Sequence, residues 1–291
     1  MKGQRLAVIG ATGNVGRALI AELLGHGAEV IAIARTASRL PQPATGLFPV
    51  CVDMDAPGND LRAALRGADC VLNVAHASFT RVILAALPEP SARLVTLGST
   101  RKFTRFPDWK AAQVADAEAA HTQAANGLIV HPTMIYGGAD NNISRILRIV
   151  RWLPLLPLPQ KGGARIQPIH RDDLVQVLIA AINNKAGHAP LIVAGARPIS
   201  YAQVIQLCAH AMGRKTGIIS VPYWGMRALA WSTRMVPGIP SISGDEVRRL
   251  LEDKVFDITP MQARLKVMPC TFEEGLARMA AAGELAGRHV I

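Results

Sequence analysis

The sequence predicts an α/β protein: a doubly wound parallel sheet with a small, mostly helical C-terminal lobe. Three observations carry this. Short apolar runs alternate with helical stretches from residue 5 to about residue 132, the pattern of parallel βαβ units. A glycine turn, Gly10-Ala11-Thr12-Gly13-Asn14-Val15-Gly16, separates the first apolar run from the first helical stretch. Half of the 291 residues are hydrophobic and only 18% are charged, enough apolar surface to cover both faces of such a sheet.

The elements follow in order. Residues 6–9, Leu-Ala-Val-Ile, form the continuous apolar run of a strand buried on both faces. A helical pattern runs on through Leu24, and residues 30–34 read as a second strand ending at Arg35. Residues 48–52 make a third strand leading to Asp53 and Met54, its start weakened by Pro49. A helix over 60–65 precedes a fourth strand over 70–74. A helix over 81–87, a strand over 93–97, a helix over 110–125 and a strand over 128–130 continue the alternation. Wound right-handedly, these units make a Rossmann-type sheet.

Beyond residue 133 the alternation loosens. Prolines and glycines gather between Pro154 and Pro168, the mark of an excursion from the sheet. Residues 172–183 read as a helix and 190–194 as a late strand returning to it. The expected division is a Rossmann domain over 1–195, with an excursion at about 137–170, and a small lobe over 196–291 that meets substrate or partner.

Thirty-two lysines and arginines stand against 21 acids, a net charge of +11. That balance favours anionic partners, a phosphorylated cofactor first among them. Cys51, Cys70, Cys208 and Cys270 are scattered without a CxxC pair, which argues for reduced thiols in a cytoplasmic protein. The N-terminus carries no signal-peptide pattern, and no stretch reaches the roughly 20 apolar residues of a membrane span. The expectation is a cytoplasmic protein, at most peripheral to a membrane.

The glycine turn is the strongest functional signal. Glycines at 10, 13 and 16 let the backbone turn tightly and approach a pyrophosphate, and the helix behind them supplies N–H donors and positive potential. Gly10, Thr12, Gly13, Asn14, Val15 and Gly16 are therefore expected to bind a dinucleotide. At the end of the second strand an acid would bind the 2′-hydroxyl of NAD. Here Arg35 stands in that place, with Arg39 a helical turn onward, and arginine suits the 2′-phosphate of NADP(H). Asp53 and Met54 are placed for the adenine, and Val74 and Ala75 for the ribose side.

The glycine turn resembles the nucleotide motif of extended and atypical short-chain dehydrogenases/reductases, the NAD-dependent epimerase/dehydratase-like proteins. His131-Pro132-Thr133-Met134-Ile135-Tyr136-Gly137 is similar to their Arg-Pro-x-x-x-Tyr-Gly segment, which brings Pro132 to the cofactor. Residues 168–174 resemble the stretch where the chain rejoins the sheet. From Ser243 onward to Leu276 the chain loosely resembles the branch related to an accessory subunit of respiratory complex I. The resemblance implies a Rossmann domain, a small substrate-binding lobe and NAD or NADP as cofactor.

It also implies a catalytic Tyr-xxx-Lys pair on the helix after the fifth strand, with a serine or threonine at that strand's end. The strand end is Gly98-Ser99-Thr100, so the hydroxyl is present. If Glu118 matches the family glutamate four residues after the lysine, Val114 holds the lysine position and Lys110 the tyrosine position. Two readings stay open. Lys110 serves as the acid/base beside Ser99, as a lysine in this region does in some atypical reductases of the family. Otherwise the protein binds its nucleotide without turning it over, as an accessory or redox-sensing protein.

Arg145, Arg148 and Arg151 fall within about 120° on a helix, and no acid occurs from Ile143 to Arg171. With Trp152, Leu153, Lys161, Arg165 and Arg171 they form either a docking face for an anionic membrane or an acidic protein complex, or a solvated face. Residues 223–231, Tyr-Trp-Gly-Met-Arg-Ala-Leu-Ala-Trp, suit a quinone-like or lipid substrate, or else core or a dimer contact. No nucleic-acid module motif is present. His121, His131, His170, His188 and His210 lack metal-ligand spacing, so no metal is expected. No G-x-S-x-G elbow occurs.

Overall fold

The computed structural model describes residues 1–87, 92–124, 127–183, 187–226, 248 and 250–285. Its centre is a seven-stranded sheet. Strands β1 (Arg5–Ile9), β2 (Glu29–Ala34), β3 (Leu47–Cys51), β4 (Cys70–Asn73), β5 (Arg93–Leu97) and β6 (Gly127–Pro132) are joined late in the chain by β11 (Leu191–Val193). All pair in parallel, in the order β11-β6-β5-β4-β1-β2-β3. The order reverses between β1 and β4, the switch point at whose carboxyl ends ligands of doubly wound sheets bind.

The period of two along β1 divides the core. Leu6 and Val8 face helices α1 (Asn14–Gly25) and α6 (Arg171–Asn183), packing with Leu19, Leu174 and Leu178. Ala7 and Ile9 face α2 (Asp60–Leu65) and α3 (Thr80–Ala86), packing with Leu61, Leu65 and Ile83. Helix α4 (Trp109–Ala124) covers β6 on that side through Val114, Ala117 and Ile129. Pro49 is tolerated because β3 is the outermost strand, where a missing N–H interrupts no further ladder.

The excursion departs from the helical expectation by adding ribbons. Strand β7 (Ile135–Tyr136) pairs with β10 (Ile169–His170), β8 (Leu155–Leu158) with β13 (Gly217–Ser220), and β9 (Arg165–Ile166) with β12 (Ile199–Ser200). At two to four residues each, they are too short to show an alternating pattern in the sequence. Helices α5 (Ile143–Trp152) and α7 (Tyr201–Ala211) close a second core over them. Helix α8 (Thr259–Leu265) instead packs Met261 and Leu265 on the sheet's core, and α9 (Phe272–Ala281) returns to the lobe with Phe272 and Met279.

Candidate functional site

The glycine turn follows β1 at this switch point, and its glycines have separate physical reasons. Gly10 and Ala11 donate their N–H groups to the Ile33 carbonyl at 3.0 and 3.1 Å, lifting the chain off β1. Gly10 adopts φ 92°, and a Cβ there would stand 2.8 Å from the Ala75 nitrogen. A Cβ on Gly16 would run into the Gly10 carbonyl oxygen. Gly13 begins α1 with no side-chain cap, and the helix has no acid in its first turn. Its amino end therefore keeps its donors and positive potential for an anion. Thr12 is half-buried in the turn, and Val15 is buried beneath it.

Asn14 does something the motif did not announce. Its Nδ2 donates to the Gly137 carbonyl at 2.8 Å, and its Oδ1 accepts from the Ala139 N–H at 3.1 Å. The side chain clasps the glycine turn to the segment that leads into the lobe. At the ribose end, Arg35 and Arg39 are both exposed, Arg39 closing a single 3₁₀ turn over Ala37–Arg39. Asp53 is exposed and accepts the Asp55 N–H at 3.1 Å, whereas Met54 is buried in the core with Ile9 and Ile33. Val74 packs half-buried on the opposite core, and Ala75 is exposed just past the end of β4.

Where β5 and β6 end, a buried network fixes Ser99. Its backbone N–H donates to Nδ1 of His131 at 3.2 Å. The ring proton therefore sits on Nε2, which donates to Oε2 of Glu118 at 2.6 Å. Glu118 also holds the Lys102 ammonium. Burial pushes the Glu118 carboxyl up, but Lys102 and His131 outweigh it and hold it below the ordinary carboxylate range. Burial lowers His131, so the ring stays neutral in its place. A Cβ at residue 98 would stand 2.5 Å from Nδ1, so only glycine fits beside this ring.

Ser99 Oγ accepts the Arg101 N–H at 3.1 Å. Its own hydrogen remains for a ligand in a cavity of about 390 Å³ lined by Ser99, Pro132, Thr133, Asn142, Gln167 and Lys254 among others. Pro132 contributes both a wall and its carbonyl, which accepts the Thr100 hydroxyl at 3.0 Å. Lys110 is exposed in the first turn of α4, its ammonium 5.2 Å from the centre of the Trp109 ring. Burial and the charge of Lys110 together lower the His76 imidazole, just beyond Ala75. Val114, one turn along α4, is buried in the core.

Sequence reasoning missed the work of His131 and Glu118, although both lay in segments already aligned to the family. It also missed Lys254, which reaches the cavity from a stretch with no motif. Elsewhere, Arg148, Arg151 and Trp152 are exposed on α5, whose Ile143, Leu147 and Val150 face the lobe core. The acid-free stretch is met by acids from other segments: Arg165 pairs with Asp253 at 3.3 Å and Arg171 with Glu284 at 3.8 Å. Of the apolar stretch at 223–231, Met226 is buried with Val221 and Tyr223 packed on it, Trp224 is exposed, and 227–231 lie outside the described residues. Residues 243–247 also lie outside them. Among the described residues no group of three His, Cys, Asp or Glu is arranged to hold a metal. No described helix is long and apolar enough to cross a membrane.

An open glycine turn at the switch point of a parallel sheet is the feature with which Rossmann-type folds hold a dinucleotide. In agreement, residues 10–135 match the NAD(P)H-binding family model. More narrowly, the fold is similar to that of solved structures described as epimerases and a dehydratase. MoeE5 in complex with UDP-glucuronic acid and NAD superposes with a TM-score of 0.71 at 19% identity, covering 94% of this chain and 97% of that one. The UDP-N-acetylglucosamine 4-epimerase from Bacillus cereus gives 0.71 at 12% identity, over 96% and 99%. The dTDP-glucose 4,6-dehydratase of Bacillus anthracis str. Ames, in complex with NAD, gives 0.74 at 14% identity, over 97% of each chain. In sequence, the chain is 27% identical over 231 residues to "Uncharacterized protein Rv2047c" of Mycobacterium tuberculosis (strain ATCC 25618 / H37Rv), covering 75% of this chain. The chain spans about a quarter of that relative's length, 24%.

Proposed function

We propose that the protein is an NADP(H)-dependent oxidoreductase or epimerase that acts on a carbonyl or alcohol beside Ser99 without the Tyr-xxx-Lys pair. The cavity of about 390 Å³ at the ends of β5 and β6 carries this reading, because it adjoins the edge of the sheet on which the glycine turn lies. The glycines and the open amino end of α1 would hold the pyrophosphate. Arg35 and Arg39, exposed where no acid stands, would pair with a 2′-phosphate. When bound, the nicotinamide supplies or accepts a hydride. The Ser99 hydroxyl hydrogen-bonds the substrate oxygen, and its position is held by His131 from behind. Lys110, at the position of the family tyrosine, moves the proton at that oxygen.

Nicotinamide fluorescence during paired titrations with NADPH and NADH tests this. Tight NADPH binding with weak NADH binding supports the cofactor assignment, and equal affinities overturn the preference. Oxidation of NADPH on adding a carbonyl panel supports turnover.

One pair of observations favours a second reading. Val114 is buried where the family lysine would stand, and residues 151–155, Arg-Trp-Leu-Pro-Leu, are all exposed, Trp152 at 77%. In that reading the nucleotide is bound without turnover, for support or redox sensing, while Trp152, Leu153 and the α5 arginines dock on an anionic membrane or protein complex. It predicts no NADPH oxidation with any carbonyl, and binding to phosphatidylserine vesicles that fades as salt rises.

A further inference from the structure

We propose that the outer face of the β8–β13 ribbon is a docking surface for an anionic lipid bilayer, whose headgroup region takes up its apolar side chains. The proposal rests on the docking reading above for its place in the fold, adds the ribbon to it and commits it to lipid. It does not depend on whether the nucleotide is turned over.

The ribbon has two faces because its side chains alternate. Parallel pairing sets Leu156 beside Ile218, and these two, with Leu158, pack into the core of the lobe. The other set, Leu155, Pro157 and Ile219, faces outward, where a solvated strand would carry polar side chains. Leu155 is 56% exposed and Ile219 47%. Leu155 lies across Gly217, where an added Cβ would stand 2.7 Å from its Cδ2. Trp152 and Leu153 extend the apolar surface before β8, and Trp224, 75% exposed, follows β13. Large apolar side chains gathered on one element, rather than scattered singly, mark a contact surface.

Cations stand at both ends of this face, and they select the partner. Arg148 lies one turn before Trp152 on the same side of α5. The Gly217 N–H donates to the Pro154 carbonyl at 2.8 Å, which brings the turn carrying Arg214 and Lys215 alongside Leu153. Lys161 follows β8 in a 3₁₀ turn over Pro159–Gly162. All four are exposed, and among the described residues no acid pairs with any of them. The segments that build the ribbon, 143–171 and 201–226, contain no acid. An apolar face with tryptophans at its ends and cations around it matches the boundary between acyl chains and anionic headgroups. A second copy of the chain matches it poorly, because the same face on both partners would set these cations against each other.

Co-sedimentation of the full chain with phosphatidylcholine vesicles, with and without phosphatidylserine, tests this. Binding to the anionic vesicles is expected, about tenfold or more tighter than to the neutral ones, and falling as salt rises. Arg148→Glu with Lys215→Glu should weaken it about tenfold or more. Leu155→Asn with Ile219→Asn should weaken it by a similar factor at every salt concentration. Brominated acyl chains should quench the tryptophan fluorescence, and less so in Trp152→Phe. NADPH fluorescence and the melting temperature, measured on the same variants, should not change. Equal binding to both vesicles, binding to neither, or full binding by either paired variant would overturn the proposal. Capture of polyglutamate without vesicle binding would assign the face to an acidic protein, which keeps the docking reading and ends this one. A dimer in sedimentation velocity that Leu155→Asn with Ile219→Asn dissociates, again without vesicle binding, would assign it to a second copy. Should carbonyl-dependent NADPH oxidation accompany vesicle binding, the reading without turnover falls and the lipid surface stands.

Discussion

The Ser99 N–H donates to Nδ1 of His131 at 3.2 Å, a bond that ties the end of β5 to the end of β6. It depends on Glu118, which takes the other ring nitrogen at 2.6 Å and neutralises Lys102. Glu118→Ala would leave an ammonium and a ring N–H without an acceptor in a largely buried place. The expected loss is about 2–4 kcal/mol of unfolding free energy, and about 1–2 kcal/mol for Glu118→Gln, which keeps an oxygen there. Urea denaturation with the m-value compared across variants checks both.

Acid should destabilise the protein through buried histidines before its carboxylates titrate. Burial lowers His121 to about 4, and it lowers His131 and His170 too. Unfolded, these rings titrate near 6.5, so between the two values the unfolded chain binds more protons. Their contribution is complete above about pH 6.5 and is lost as pH falls toward the folded values. Below the ordinary carboxylate range, protonation of Glu118 adds to the loss. His121→Leu should reduce the slope of stability against pH by close to one proton, read from melts between about pH 4.5 and 7.

Glycine positions in and beyond the turn should respond oppositely. Gly16→Ala drives a methyl into the Gly10 carbonyl and should cost about 1–3 kcal/mol with loss of nucleotide binding. Gly25 ends α1 with nothing within 4 Å of an added Cβ. Gly25→Ala should be neutral or stabilise by up to about 1 kcal/mol. Circular dichroism melts and nicotinamide fluorescence distinguish the two.

Cofactor choice should turn on one charge. Arg35→Ala is expected to weaken NADPH on the order of tenfold or more and to leave NADH unchanged. An unaltered NADPH affinity would show that the arginine is only a solvated strand end.

Lys110→Ala should separate binding from chemistry. NADPH affinity should stay at the wild-type value while carbonyl-dependent NADPH oxidation falls on the order of 10²-fold or more. A parallel loss of nucleotide affinity would assign Lys110 to binding instead.

Much of the fold was legible because the sheet's strands are buried on both faces. Such strands appear as unbroken apolar runs, such as Leu-Ala-Val-Ile at 6–9, and glycines punctuate the turns between them. The ribbons of the lobe escaped notice because a pair such as β7 with β10 is two residues long and carries no period. The candidate site was half legible. The glycine turn and Ser99 lie in local patterns, but the clasp from Asn14 to Gly137 joins residues 123 apart.

Residue order alone settled the parallel sheet, the anion-ready turn and the absence of the Tyr-xxx-Lys pair, since each depends on neighbours within one or two turns of chain. Tertiary structure decided which charges are neutralised and which reach the cavity. Arg165 and Arg171 stand in an acid-free stretch of sequence yet meet Asp253 and Glu284 in space. Lys254, about 155 positions after Ser99, shares its cavity only because hydrogen bonds to Arg165, Gln167, Thr104 and Arg105 lay its segment there. Local pattern fixes which backbone forms. Long-range hydrogen bonds and burial fix which side chains meet, and no short window of sequence contains both partners.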